Sequence, residues 1–295
     1  MSEHDHDVVV VGGGPTGTGA AVFTARDGLD TVVYDRGNAA LARAAYIENY
    51  PGFPGGIDID TLTALFYDHL EEVGARRIDD LVESVERVDG GFRVSPAEGE
   101  PVTTEYVVAA AWYDASYLQP LESDDEMFEI EVHHGEEREQ LDRSFPDGDG
   151  RTPIDGLYVG APTDGRNAQV VVAAGNGAHV ARSLLEDHRQ AVGYAGDVAK
   201  HYDWLRPESE FSGEWAERER WEEWFENELE RPDADEAEVE RLRDRYLDRA
   251  FETRLSEEEI AARKEAGHRR LAEHLDTEML LDAVDDEEIR VYLED

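Results

Sequence analysis

The chain of 295 residues contains no cysteine. That absence excludes disulfides, thiolate nucleophiles, thiolate metal sites and redox-active dithiol pairs before any fold is considered. Lysine is nearly missing too: Lys200 and Lys264 are the two present, and 28 basic residues face 71 acidic ones, a formal net charge of −43. A surface of that sign repels nucleic acid and anionic lipid, so neither is expected as a partner. The excess runs through both halves, with 33 acidic and 14 basic residues from His201 onward. It therefore reads as adaptation to a salt-rich cytoplasm, where self-repulsion is screened, rather than as the mark of one partner. No apolar run approaches the roughly 20 residues that span a bilayer. The start "MSEHDHD" lacks the basic and apolar segments of a signal peptide, so a cytoplasmic, membrane-free protein is expected.

What is present begins with "VVVVGGGPTGTGAA", Val8 to Ala21. Four valines make a strand of the kind covered on both faces in a parallel sheet. Gly12 allows a tight turn, Gly14 lets backbone approach a pyrophosphate, and Gly17 permits close helix-to-strand packing, with Pro15 and Thr16 opening the helix. That helix ends around "RDGLD", where Gly28 is the expected C-cap. A second strand, "TVVYD", places Asp35 at its end, 18 residues after Gly17, where a carboxylate accepts hydrogen bonds from a ribose diol. Arg36 stands beside it, either toward a 2'-phosphate or simply solvated. Strand, glycines, helix and terminal acid fall at compatible distances for a dinucleotide-binding unit.

The loop "ENYPGF", Glu48 to Phe53, precedes an amphipathic helix expected over about residues 60–73. On these residues the chain resembles the thioredoxin reductase-like flavoproteins, which carry this loop beside the isoalloxazine ring of FAD. The resemblance implies that Asn49 faces the flavin, and it leaves Tyr50 and Phe53 also readable as core aromatics that anchor the loop. "RIDDLVESVERVDGGFRV" reads as a strand pair about Asp89-Gly90-Gly91, and "EYVVAAAWYDA" as a buried strand. Where the family ends that strand in Ala-Thr-Gly, this chain has Ala109, Ala110 and Ala111.

A later segment, 150–188, resembles the terminal part of the same flavin domain. Gly160 matches the family's glycine, but Ala161 stands where the acid for the ribityl chain is expected, with Asp164 a substitute from the loop. Gln169 lies where the family has a glutamine beside the flavin pyrimidine ring, preceded by Ala168 instead of an arginine. Gly175, Asn176 and Gly177 are expected to open a helix whose free N–H groups and positive dipole end face a reduced flavin. Only the segment 118–151 joins the two halves, too short for a second doubly wound nicotinamide domain. With no Cys-x-x-Cys, the chain cannot run the family's dithiol relay.

Adjacent His133 and His134 would point to opposite faces of a strand, poor geometry for one metal, and no metal site is expected. His179, one short turn into the helix after Gly177, reads as a packing or surface residue, with an approach to bound flavin as the other reading. No Ser-His-Asp arrangement is visible, and no catalytic residue is assigned.

After about Lys200 the pattern changes. Trp221, Trp224 and Phe225 lie three and four apart on one helical face, with Ser212 as candidate N-cap, and read as a seam docking on the flavin domain. Such a helix could also cover a flavin face left open by the missing domain. Pro232 breaks it. Val239, Leu242, Tyr246, Leu247 and Ala250 mark the next helix, Ser256 and Glu259 a capping box, and "DTEMLLDAVDDEEIRVYLED" one or two short terminal helices.

The expectation is an α/β protein: a Rossmann-like FAD-binding domain over 1–200, with a parallel sheet and a three-stranded β insertion, followed by a small helical C-terminal module over 201–295. The halves of the first domain are about 5–117 and 152–195. Three functions fit. The first is an FAD-dependent oxidoreductase of unknown substrate, reduced by NAD(P)H, a protein electron donor or the substrate itself. The second is an inert flavoprotein-like scaffold working through its helical module, which is suited to homodimerisation or partner docking. The third is a single-site NAD(P)-binding Rossmann enzyme. The expected cofactor contacts are Gly12, Gly14, Pro15, Thr16, Gly17, Asp35, Arg36, Asn49, Ala110, Gly160, Gln169 and Gly177.

Overall fold

The computed structural model of the chain describes residues 4–37, 40–111, 115–122, 127–133, 136–162, 169–200, 202, 204–231 and 234–294. Asp164, Ala168, His134 and Pro232 lie outside these described residues.

The valine run forms β1 (His6–Val11) and feeds through the glycine turn into α1 (Pro15–Asp27), which Gly28 ends in the left-handed conformation at φ 100°. Then follow β2 (Thr31–Tyr34), α2 (Ile59–Glu72) and β3 (Arg76–Ile78). Asp58 caps α2 by accepting from the Thr61 N–H at 2.8 Å, one residue from the expected start. The turn at Asp89-Gly90 joins β4 (Val82–Val88) to β5 (Gly91–Pro96), and β6 (Val102–Ala109) returns to the sheet centre.

The sheet runs β3-β2-β1-β6-β5-β4. Strands β3, β2, β1 and β6 are mutually parallel, whereas β4, β5 and the first half of β6 are antiparallel. The second half of β6, from Val107 to Ala109, instead pairs in parallel with β9 (Leu157–Val159). One strand thus belongs to both the doubly wound core and the three-stranded antiparallel part. Both faces of β1 are covered. Val8 and Val10 pack with Ala20, Ala21, Val180 and Leu184 under the helices, while Val9 and Val11 pack with Val32, Phe92, Leu118 and Met127 on the other side.

The joining segment holds a 3-10 helix (Ser116–Leu121) and a hairpin of β7 (Phe128–His133) and β8 (Glu136–Leu141), not another α/β unit. Arg151 fastens its end to the long helix α3 (Val170–Ala191), with Nε and Nη2 donating to the two Asp187 carboxylate oxygens at 2.7 and 2.8 Å. Asp187 also accepts from the Tyr158 hydroxyl at 2.8 Å.

The remaining helices are α4 (Arg218–Glu228), α5 (Glu236–Glu252), α6 (Glu257–Ala272), α7 (Thr277–Ala283) and α8 (Asp286–Glu294). The Ser256–Glu259 capping box is formed at the start of α6. Ser212 caps only a short 3-10 turn and makes no side-chain cap bond, so α4 begins later than its sequence suggests, at Arg218. Phe225 is fully buried against Tyr194, Val198, Ala199 and Leu242, so the aromatic seam docks on the chain that follows α3 and on α5. Two polar clasps tie this helical block to the sheet unit. Arg249 pairs with Asp27 at 2.8 Å at the end of α1, and Asp68 of α2 takes Arg270 at 2.8 Å and His274 at 2.9 Å. Among the described residues no helix is long and apolar enough to cross a membrane.

Candidate functional site

A cleft of about 1160 Å³ opens at the carboxyl ends of β1, β2 and β6, where doubly wound sheets bind their ligands. The glycine turn forms its floor. Gly12, at φ 109°, adopts a conformation side chains rarely allow, and a Cβ there would lie 2.8 Å from the Ala110 carbonyl carbon and the Ala111 nitrogen. Gly13, not singled out by the sequence pattern, is constrained by its neighbour: a Cβ would lie 2.5 Å from both Cβ and Oδ2 of Asp35.

Asp35 is 4% exposed, and each of its carboxylate oxygens already has a donor. The Gly37 N–H reaches Oδ1 at 3.0 Å and the Tyr67 hydroxyl reaches Oδ2 at 2.6 Å. Burial, followed by the hydrogen bond to Asp35 and its charge, pushes Tyr67 up to about 12, so it stays protonated and keeps donating. Tyr67 was missed because a tyrosine inside an amphipathic helix carries no motif. Only the packing of α2 beside β2 brings it to the acid.

Across the cleft, the Asn49 amide donates to the Gln169 side-chain carbonyl at 2.6 Å. The two residues are 120 positions apart, and both line the cleft with Val170 and Ala173 of α3. The loop holding Asn49 is stapled at its base by a bridge between Ile47 and Ile57, and the Tyr50 and Phe53 rings meet edge to face at 5.7 Å over Leu41 and Leu62. Those aromatics do anchor the loop, leaving Asn49 presented to the cleft.

Eight α-helices are described, and six of them carry an acid in the first turn. The exceptions are α1 and α3, which also lack any side-chain cap at Gly14 and Gln169. Both of these N-termini face the cleft. In a chain with 71 acidic residues, acid-free and uncapped helix starts at one place leave N–H groups and dipole ends open to an anionic ligand.

Of the expected contacts, Gly12, Gly14, Pro15, Thr16, Asp35, Arg36, Asn49, Ala110 and Gln169 line the cleft. Gly17, Gly160 and Gly177 do not: they sit behind the turn and let three backbones meet. A Cβ at Gly17 would fall on the Gly12 carbonyl oxygen, one at Gly177 on the Thr16 carbonyl oxygen, and one at Gly160 would lie 2.8 Å from Thr16 Cγ2. Nor do Gly175 to Gly177 open the helix. It starts at Val170, placing these residues in its second turn, and Asn176 donates to the Gly160 carbonyl at 2.7 Å, tying α3 to β9. Ala161, where an acid was expected, is buried in the lining. His179 pairs with Asp149 at 2.8 Å on the surface. Among the described residues none after Ala173 lines the cleft, so the aromatic helix forms no part of its wall. Among the described residues no cluster of His, Asp and Glu has metal-binding geometry.

No family model matches the chain. Among curated proteins it is 26% identical over 191 residues to the thioredoxin reductase of Rickettsia conorii, covering 63% of this chain and 53% of that protein. It is 32% identical over 108 residues to the thioredoxin reductase of Aquifex aeolicus, covering 36% and 33%. The chain thus spans about half the length, or less, of these relatives. Among solved structures it resembles a thioredoxin reductase from Gloeobacter violaceus, with TM-score 0.52, 19% identity, 68% of this chain and 98% of that one. It also resembles the atypical thioredoxin reductase TRi from Desulfovibrio vulgaris Hildenborough, with TM-score 0.50, 18% identity, 64% and 100%. In its fold the chain is similar to the thioredoxin reductases, and its sequence holds no cysteine.

Proposed function

We propose that the cleft holds one FAD and that the protein serves as an oxidoreductase whose electron donor and acceptor both lie outside the chain. The observation that carries this reading is the Asn49–Gln169 hydrogen bond, which joins the two segments resembling flavin-contacting ones in the same cleft as the glycine turn and Asp35. A nicotinamide-only site gives no reason for that pair.

The residues present fit a dinucleotide. The uncapped N-terminus of α1 would take the pyrophosphate, Asp35 the ribose diol, and Asn49 with Gln169 the polar edge of the ring system. When bound, FAD supplies the electron-transfer chemistry. The chain's part is to bind, orient and bias charge. The α3 N-terminus at Val170 presents free N–H groups toward the pole of the cleft where Gln169 stands, favouring negative charge there. Tyr67, locked in its protonated form, holds Asp35 in place. Ala110 and Ala161 offer no hydroxyl or carboxylate, so these positions contribute shape alone. With no cysteine anywhere in the sequence, electrons supplied by NAD(P)H, a carrier protein or the substrate would pass on without a dithiol relay.

The test is the visible spectrum of protein purified in molar KCl with added FAD, followed by anaerobic titration with NADH and NADPH. Stoichiometric flavin that bleaches supports the oxidoreductase and identifies a nicotinamide donor, while flavin that stays oxidised directs the search to a protein donor. Failure to retain any flavin overturns the proposal in favour of a scaffold acting through its helices.

A further inference from the structure

A second cleft, of about 1220 Å³, lies at the other end of the molecule. It is lined by Gly28 and Val192, the C-caps of α1 and α3, whereas the N-caps of the same helices line the first cleft. The 22 residues of α3 separate the two by about 33 Å. Its remaining walls come from the helical block and the segment leading into it.

The charge there is anomalous for this chain. Six of its 28 basic residues line this cleft, including Arg206, Arg245, Arg249 and Arg254, against four acids. Arg249 is consumed by Asp27, and Arg206 by Glu210 at 2.7 Å. Arg254 has no hydrogen bond or ion pair among the described residues, although acids outnumber bases 71 to 28. Its guanidinium is clamped 3.6 Å from the centre of the Phe251 ring and 3.8 Å from that of Phe211, with Nε and Nη2 sealed and unsatisfied. A two-residue parallel pairing sets it directly beside Arg206. Holding two guanidinium groups together, one without an acceptor, is costly unless an anion joins them. Arg245 likewise has no hydrogen bond or ion pair among the described residues.

The second feature is aromatic. Trp204, 74% exposed, and Tyr202, 67% exposed, stand on the rim, while Trp224 and Tyr246 form the wall. Exposed indole in the same cleft as unpaired guanidinium supplies both a stacking face and N–H donors for an anion, from the exposed Arg245 and from Nη1 of Arg254, the one nitrogen there that is not sealed.

We propose that this second cleft binds a planar aromatic anion of nucleotide size, its base stacked on the rim aromatics and its phosphate held by Arg254 and Arg245. The first cleft takes no part in this assignment, so it stands or falls independently of the flavin reading.

The probe is AMP, titrated into the full chain and followed by tryptophan fluorescence and calorimetry, with adenosine and inorganic phosphate as separated halves. AMP should bind saturably and at least about ten-fold more tightly than either half. Arg254→Ala should weaken it by roughly ten-fold or more, and Arg245→Ala, at an exposed position that leaves packing intact, by several-fold. Asp35→Ala, which removes the ribose-binding carboxylate of the first cleft, should leave the Arg254-dependent part of the AMP titration unchanged. Absence of saturable AMP binding, binding indifferent to both arginine variants, inorganic phosphate binding as tightly as AMP, or loss of the Arg254-dependent binding in Asp35→Ala would each overturn the assignment.

Discussion

Replacing Tyr67 with phenylalanine probes the geometry of the first cleft without touching its lining. The substitution deletes one donor and leaves Oδ2 of a buried carboxylate with its 2.6 Å hydrogen bond missing. The tyrosine's displacement from its ordinary 10 to about 12 corresponds to at most about 2.7 kcal/mol of preference for the protonated form. Burial is the largest cause of that displacement and the bond to Asp35 only part of it, and the ring is only partly buried, so the bond itself is expected to contribute about 1–2 kcal/mol, the worth of a hydrogen bond to a charged acceptor. The sign follows from linkage. The value is raised in the folded state, so the stabilisation is complete below pH 10 and disappears as pH rises through about 12. Guanidinium chloride unfolding of both proteins at fixed KCl should therefore show wild type more stable by about 1–2 kcal/mol at neutral pH, with unchanged m-value and a gap that closes toward pH 12. A gap below about 0.5 kcal/mol at neutral pH, or one that persists undiminished at pH 12, would refute the role given to this hydroxyl.

Further expectations follow from the same cleft and from the clasp behind it. Gly13→Ala inserts a methyl 2.5 Å from Asp35 Cβ, and should cost about 1–3 kcal/mol of folding stability and weaken FAD binding by at least about ten-fold; a titration matching wild type would show that the turn yields freely. In a double-mutant cycle on FAD affinity, Asn49→Ala and Gln169→Ala should couple by about 0.5–1.5 kcal/mol, and strict additivity would mean that the 2.6 Å bond does not organise the site. Burial pushes the Asp68 carboxyl up, but Arg270 and His274 outweigh it and hold it below the ordinary carboxylate value. The clasp of α6 on α2 should accordingly hold above pH 3.8 and loosen as pH falls further, seen as loss of amide protection in α6; protection that does not change on acidification would count against it.

The aromatic loop shows how a sequence reading and a structure divide the work. Its residues suggested a flavin-facing Asn49 and core aromatics, and the Tyr50–Phe53 contact explains how the same six residues can hold the loop rigid and present the amide. The glycines divide differently. A missing side chain admits either a ligand or another backbone, and composition does not say which: Gly12 and Gly14 border the cleft, whereas Gly17, Gly160 and Gly177 admit neighbouring backbone and Thr16. The start of α3 was misplaced for a related reason. Gly175 and Gly177 are poor helix formers and read as a boundary, yet the helix continues through both: α1 comes close enough to require Gly177, where a Cβ would fall on the Thr16 carbonyl oxygen, while Gly175 faces open space.

By itself the sequence determined what depends on residue type and short-range spacing. It excluded thiol chemistry, set the acidic surface, and placed the strand, glycine turn, helix and terminal acid of a dinucleotide unit within the first 35 residues. Two properties awaited the tertiary structure, because both arise where distant segments meet. One is the union of Asn49 with Gln169 at a cleft flanked by two acid-free helix starts. The other is the gathering of Arg206, Arg245 and Arg254 among aromatic rings at the far ends of the same helices. The first requires the sheet unit to close, and the second requires the helical block to dock on it as well. Hydrophobic burial drives that closure over the whole chain, and no local pattern encodes which polar groups it will leave facing one another.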